Sequence, residues 1–225
     1  FSVRASVEQI HVWKAPANAD LELVGPDGQV VVQATADYQG SHVFRLVPAG
    51  AGYSVRLADD PTDTTLPLHV LTAQESLPPN SFYEDQVLEP GYGYLTTRDG
   101  TTLSIFVSLP GPPEDGPYPT IVNYSGYSPS EPGKPIGGIA ELFCDDYPVL
   151  CDAPGHPSGI LAGIMGYATV GVNMRGTGCS GGAYDYFEPL QLLDGYDAIE
   201  TVARQSWVKH GKVGMAGLSY PGITQ

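Results

Sequence analysis

"KVGMAGLSYPGITQ", residues 212–225, decides how the chain is read. Its first half, Lys212 to Leu218, is a short apolar run of the kind a strand covered on both faces requires. The run breaks at Ser219, and the residues from Tyr220 begin a helix. A sharp strand-to-helix turn lifts its serine oxygen above the sheet, and the crowding there calls for glycine beside it. Gly217 stands two residues before Ser219. Position 221 is proline where such a turn usually carries glycine, and Gly222 follows one residue later. Proline is accepted in a first helical turn, because its missing N–H would have had no helical partner. It also biases Tyr220 away from helical angles, which is a mild tension. Ser219 is therefore a candidate nucleophile. The Tyr220 backbone N–H is the natural donor to an oxyanion, with the free N–H groups of the following helix pointing the same way. A plain turn or cap serine is the competing reading.

Outward from this turn, the second half of the chain alternates strands and helices. "GYGYLTTRDGTTLSIFVSLP" (91–110) is a hairpin turning at "RDGT". "YPTIVNY" (118–124) and "YATVGVN" (167–173) are short apolar strands buried on both faces. "PSGILAGIMG" (157–166) is a short helix. "EPLQLLDGYDAIETVARQSW" (188–207) sets Leu190, Leu193, Ala198, Ile199, Val202 and Trp207 at helical spacing. This order implies an α/β sheet with helices on its faces, whose ligands bind beyond the carboxyl ends of the strands. Tyr127, the loop at Arg175 and Ser219 all lie just past such ends. A long loop, about 125–156, separates the first two of these strands, and loops of that length in compact domains are usually functional or poorly ordered.

The first half reads differently. "ADLELVGPDGQVVVQATAD" (19–37) alternates apolar and polar residues on both sides of "PDG", a hairpin signal. "GSHVFRLVPAGAGYSVRL" (40–57) repeats the pattern, with "PAGAG" as the connection. Residues 1–57 are expected to form a small β-sandwich. Residues 58–88, rich in Pro, Thr and Asp, read as a linker, and 89–225 as the α/β part. His11, His42 and His69 are scattered, and each reads as a surface or packed histidine.

Lys and Arg together number 10 against 25 for Asp and Glu, a net charge of −15. Such a surface repels nucleic acid and anionic membranes, and no apolar run reaches the roughly 18 residues of a membrane span. Solubility is a sufficient reason for the charge. Of three cysteines, Cys144 and Cys151 bracket "CDDYPVLC". A bridge between them would point to an oxidising, extracellular setting, and two free thiols are the equal alternative. That loop is acidic but holds no histidine and no C-x-x-C spacing, so no metal is assigned, and no cofactor is called for. Cys179, in a Gly-rich loop, is expected to be unpaired.

"GLSYPG" resembles the G-x-S-Y-x-G motif of the X-Pro dipeptidyl peptidase and cocaine esterase family of α/β-hydrolases. "GYATVGVNMRGTGCSGG" (166–182) is similar to that family's G-Y-A-x-V-x-x-D-x-R-G-x-x-x-S-x-G segment. "DAIETVARQSWVKHGKVGMAGLSY" (197–220) is similar to its D-x-x-x-x-x-x-x-Q-x-W…G-x-V-G-M-x-G-x-S-Y run, with Asp197, Gln205 and Trp207 in place. The likeness spans roughly residues 90–225. It implies a partial α/β-hydrolase sheet behind a small N-terminal β-sandwich. It also implies an acyl-enzyme at Ser219, a small ester, amide or X-Pro peptide substrate, and a role for Tyr127 as the hydroxyl completing the oxyanion hole. Tyr124 is a neighbouring candidate for that role, and packing is the plainer reading. Asn173 departs from the family's Asp. Arg175 reads as a loop organiser rather than a substrate contact. Asp194 and Asp197, on one helix face, read as helix-capping or solvated residues.

The α/β-hydrolase order is Ser, then Asp or Glu, then His. Only Tyr220 to Gln225 follow Ser219. His210 precedes it across a strand, at the wrong end, and His156 lies in the long loop nearer the right edge but is not assigned as the base. The expectation is of a fragment whose base and carboxylate lie elsewhere and which does not turn over alone. Glu141, Asp145, Asp146 and Asp152 could hold a substrate amine, with solvation as the alternative. A binding or adaptor protein that uses the β-sandwich, with the hydrolase fold as scaffold, is the reading from another class. A lipase-like or dienelactone-type hydrolase is a third, opposed by Tyr220. The oligomeric state is left open.

Overall fold

The computed structural model describes residues 1–127, 129–130, 157–217 and 219–225. Cys144 and Cys151, the acidic group Glu141, Asp145, Asp146 and Asp152, and His156 lie outside the described residues, as does most of the long loop. The chain divides into two compact units, Phe1–Leu77 and Pro78–Gln225.

The first unit holds seven strands: β1 (Ser2–Ala5), β2 (Gln9–Trp13), β3 (Asp20–Val24), β4 (Val30–Thr35), β5 (His42–Arg45), β6 (Gly50–Leu57) and β7 (Leu68–Val70). They form one sheet of order β1-β2-β5 and another of order β4-β3-β6-β7. Successive side chains of a strand point to opposite faces, so alternate residues can reach a shared core. Ile10, Val12 and Phe44 of the first sheet thus share a core with Leu21, Leu23, Val55 and Val70 of the second. The unit is a β-sandwich. The "PDG" hairpin joins β3 to β4, with Gly28 in the left-handed region at φ 78°. The strands on either side of "PAGAG" do not pair with each other. β5 pairs with β2 and β6 with β3, so the connection crosses between sheets and both strands reach the shared core. Of the stretch 58–88, Leu68–Val70 adds β7 to the edge of this unit, and Asn80–Glu84 forms a short helix, α1, in the second.

The second unit is built on β8 (Gly91–Thr96), β9 (Thr102–Ser108), β10 (Tyr118–Ser125), β11 (Ala168–Asn173) and β12 (Val208–Met215), with helices α2 (Pro157–Ile164), α3 (Pro189–Ala203) and the short α4 (Tyr220–Ile223). The sheet order is β12-β10-β11-β9-β8. β11 and β12 run parallel to β10 on either side, and β8 and β9 form the expected antiparallel hairpin. All six residues of β11 are buried. Val122, Val170 and Val172 are fully enclosed, and each contributes about 1.5–3 kcal/mol through burial. The chain leaves β10 for one side and then crosses to the other to form β12. This reversal is the topological switch point of an open α/β sheet, where a crevice opens beyond the strand ends.

The polar residues of the 197–207 run have structural partners. Gln205 Oε1 accepts the Leu88 N–H at 2.9 Å, and its Nε2 donates to the Gln86 and Thr201 carbonyls. Trp207 Nε1 donates to the Leu88 carbonyl at 3.2 Å. These bonds fasten the segment entering β8 to the end of α3.

Candidate active site at the Ser219 turn

β12 ends at Met215 and α4 begins at Tyr220, with Ser219 directly before the helix. Ser219 is exposed and adopts φ 65°, ψ −131°, a conformation that costs a non-glycine residue of order 1–3 kcal/mol. Glycine is required before the bend, and the space after it is tight. A β-carbon on Gly217 would lie 2.4 Å from the Pro221 carbonyl, and one on Gly222 would lie 3.0 Å from the Gly217 oxygen. Pro221 is accommodated in the first turn of α4. The turn closes with the Gly222 N–H donating to the Ser219 carbonyl at 2.9 Å.

Three sequence candidates converge. Ser219, Tyr220 and Tyr127 line one pocket of about 420 Å³, together with Thr177, Tyr184 and Tyr186 from the loop after β11. Tyr127 is 61% exposed, and its ring lies 5.6 Å from that of Tyr220. Tyr124 points elsewhere: it is buried, and its hydroxyl donates to the Gln191 carbonyl on α3 at 2.7 Å. Tyr220 is also enclosed, and burial raises its phenol pKa, as does the hydrogen bond with Tyr184. The phenol therefore stays protonated and can donate to Gln191 Oε1 at 3.4 Å.

The sequence reading did not single out the aromatic wall of this pocket. Tyr186 stacks 5.8 Å from Tyr220 at an interplanar angle of 18°, and Phe187 lies 5.9 Å from the same ring. The dense aromatic run "AYDYF" (183–187) just past a glycine-rich loop was the available signal. His210 is exposed near the start of β12, with the remaining strand between it and the pocket.

Arg175 organises the loop after β11. Its Nε and Nη2 donate to the two Asp194 carboxylate oxygens at 2.7 and 2.6 Å, and Nη1 reaches Asp99 Oδ2 at 3.2 Å. Burial alone would lower the guanidinium pKa, but the two carboxylates outweigh that and raise it. The reading of Asp194 and Asp197 as capping or solvated residues is overturned, since both are fully buried. Asp197 accepts from the Arg98 guanidinium at 2.7 Å, the Arg98 N–H at 2.8 Å and the Tyr83 hydroxyl at 2.8 Å. Two buried ion pairs thus tie the β8–β9 turn to α3 and, at Arg175, to the pocket loop. Cys179 in that loop is free and exposed. Among the described residues, no cluster of three metal-ligating side chains occurs and no helix is long and apolar enough to cross a membrane.

Strand order and the switch point between β11 and β12 define the class, an α/β-hydrolase fold. Residues 99–225, more than half of the chain, match the family model for X-Pro dipeptidyl-peptidase (S15 family). The chain belongs to that family. Among solved structures it is similar to a CocE/NonD family hydrolase from Staphylococcus aureus, at 26% identity and a TM-score of 0.46, covering 60% of this chain and 24% of that one. It is also similar to an α-amino acid ester hydrolase at 22% identity and a TM-score of 0.46, covering 59% of this chain and 21% of that one. An aminopeptidase from a marine sediment Thaumarchaeota archaeon matches at 18% identity and a TM-score of 0.44, covering 66% of this chain and 23% of that one. The chain spans about a quarter of the length of these structures or less. No curated protein sequence matches it.

Proposed function

We propose that the protein is a serine hydrolase that cleaves an ester or amide bond, X-Pro peptide bonds included, through an acyl-enzyme on Ser219. The observation that carries this reading is the exposed Ser219 hydroxyl-bearing residue at φ 65°, on the rim of a pocket it shares with Tyr127. In the proposed mechanism Ser219 Oγ attacks the substrate carbonyl and gives its proton to a general base. The carbonyl oxygen becomes an oxyanion stabilised by the Tyr220 N–H and the Tyr127 hydroxyl. Collapse expels the alcohol or amine, which takes the proton from the base. Water, activated by the same base, then releases the acid from Ser219. The α/β-hydrolase order of Ser, Asp or Glu, then His assigns the base and its orienting carboxylate to positions after Ser219.

The test is labelling of the intact protein with a fluorophosphonate, with Ser219→Ala as control. Labelling that is lost in the variant is the expected result. Labelling that survives the substitution, or an unreactive wild-type protein, would remove Ser219 from the role. A panel of small esters and X-Pro amides then separates the substrate classes.

A further inference from the structure

Asn173 ends β11 and is only 1% exposed. Its Oδ1 accepts two hydrogen bonds from Ser130, from the backbone N–H at 3.0 Å and from the hydroxyl at 2.6 Å. Its Nδ2 donates to Thr177 Oγ1 at 3.3 Å, and its backbone carbonyl accepts from the Ser180 hydroxyl at 2.8 Å. Gly178 wraps so closely round the amide that a β-carbon there would lie 2.4 Å from Nδ2. Gly171 lies two residues earlier on the same strand face. The Pro129 carbonyl oxygen would sit 1.9 Å from any β-carbon at that position. Ser130 and Pro129 belong to the segment after β10 that carries Tyr127. The other end of that segment is held by the Met174 N–H donating to the Ser125 carbonyl at 3.1 Å and the Tyr127 N–H donating to Ser125 Oγ at 3.0 Å.

We propose that Asn173 is a positioning residue for the Tyr127 hydroxyl: it clamps the segment after β10 onto β11 and braces it against Thr177 on the pocket wall. This rests on the reading of Ser219 as nucleophile and Tyr127 as oxyanion donor. A preorganised donor contributes to rate only while its position is fixed before the reaction. The clamp is therefore worth rate as well as stability. The acceptor oxygen is the essential atom, since it takes both Ser130 bonds. An aspartate would keep it and a leucine would not.

The experiment is a double-mutant cycle in the intact protein, read as kcat and KM for p-nitrophenyl acetate together with the thermal midpoint. Asn173→Leu is expected to lower kcat about 10- to 100-fold with KM little changed. Asn173→Asp should recover most of that loss. In a Tyr127→Phe background, Asn173→Leu should cost less than about threefold more, because the donor it positions is already gone. Ser130→Ala is the milder variant, to be read in the same way if Asn173→Leu does not fold. Equal losses in both backgrounds, or a lowered midpoint with kcat intact, would overturn the proposal. A Tyr127→Phe enzyme with unchanged kcat would overturn the role of Tyr127 and this proposal with it. Labelling that survives Ser219→Ala would instead strike the nucleophile.

Discussion

Gly217 and Pro221 meet across the Ser219 bend with no room for a methyl group, since a β-carbon on Gly217 would lie 2.4 Å from both the carbonyl carbon and the oxygen of Pro221. Both atoms are backbone, so relief requires the bend itself to open. Gly217→Ala should destabilise the protein by about 1–3 kcal/mol, the range for overpacking a filled site. It should also rotate Ser219 out of position, so that fluorophosphonate labelling falls further than the loss of folded protein explains. Urea denaturation and labelling rate, measured side by side, check both parts.

Tyr127 tests the other wall of the pocket. It is 61% exposed, so replacing its hydroxyl by hydrogen should leave the thermal midpoint unchanged. If the hydroxyl binds the oxyanion, Tyr127→Phe should lower kcat by about 10²–10³-fold with little change in KM. Tyr124→Phe should behave oppositely. It removes a buried bond to the Gln191 carbonyl and costs about 1–3 kcal/mol of stability, with less effect on kcat per folded molecule.

The β-sandwich carries a titratable group with a defined sign. His42 lies 4.7 Å from the Phe44 ring, partly buried, and burial lowers its pKa. Arg45 lowers it further, and Asp37 partly opposes. The folded value therefore lies below the unfolded one, and the native state prefers the neutral ring. Its contribution to stability is complete above the unfolded pKa, near 6.5, and is lost as pH falls through the folded value. Urea midpoints should fall more between pH 7.5 and pH 5 for the wild type than for His42→Gln. Parallel curves would show that the ring titrates as it does in the unfolded chain.

Much of the second unit was legible in the sequence because strands buried on both faces leave an apolar run, as in "YATVGVN", and because the Ser219 turn has no room for a side chain at Gly217. The run from Lys212 misled in this respect: it reads as covered on both faces, but β12 stands at the end of the sheet order and is exposed at residues 209–212 and at Gly214. Tyr127 and Tyr220 could be placed at the sheet edge from strand order alone. The crossing of "PAGAG" between sheets was not legible, since alternation marks which face of a strand is buried but not which strand it joins. Asp194 and Asp197 were misread for a related reason. Their i, i+3 spacing on a helix identifies a shared face but not what covers it. The partners, Arg175 and Arg98, come from 19 and 99 residues away. The Arg175 loop role was readable only because an arginine amid glycines has little else to organise.

The Arg175–Asp194 pair gives the clearest energetic consequence. Both side chains are almost wholly enclosed, and their two short bonds span the pocket loop and α3. Removing one member leaves the other charged or unpaired in the interior. Arg175→Met should therefore destabilise by about 3–5 kcal/mol, well above the cost of losing an exposed ion pair. If the cost is the stranded carboxylate, Arg175→Met with Asp194→Leu should recover much of it, because an apolar pair of similar volume has no charge to desolvate. Asp99, at 3.2 Å from the guanidinium, lies on the β8–β9 turn and should tolerate Asp99→Asn with a smaller loss. Unfolding free energies of the four proteins decide the matter. A double variant no more stable than Arg175→Met would show that Arg175 acts through its contacts to the loop and not through the buried charge.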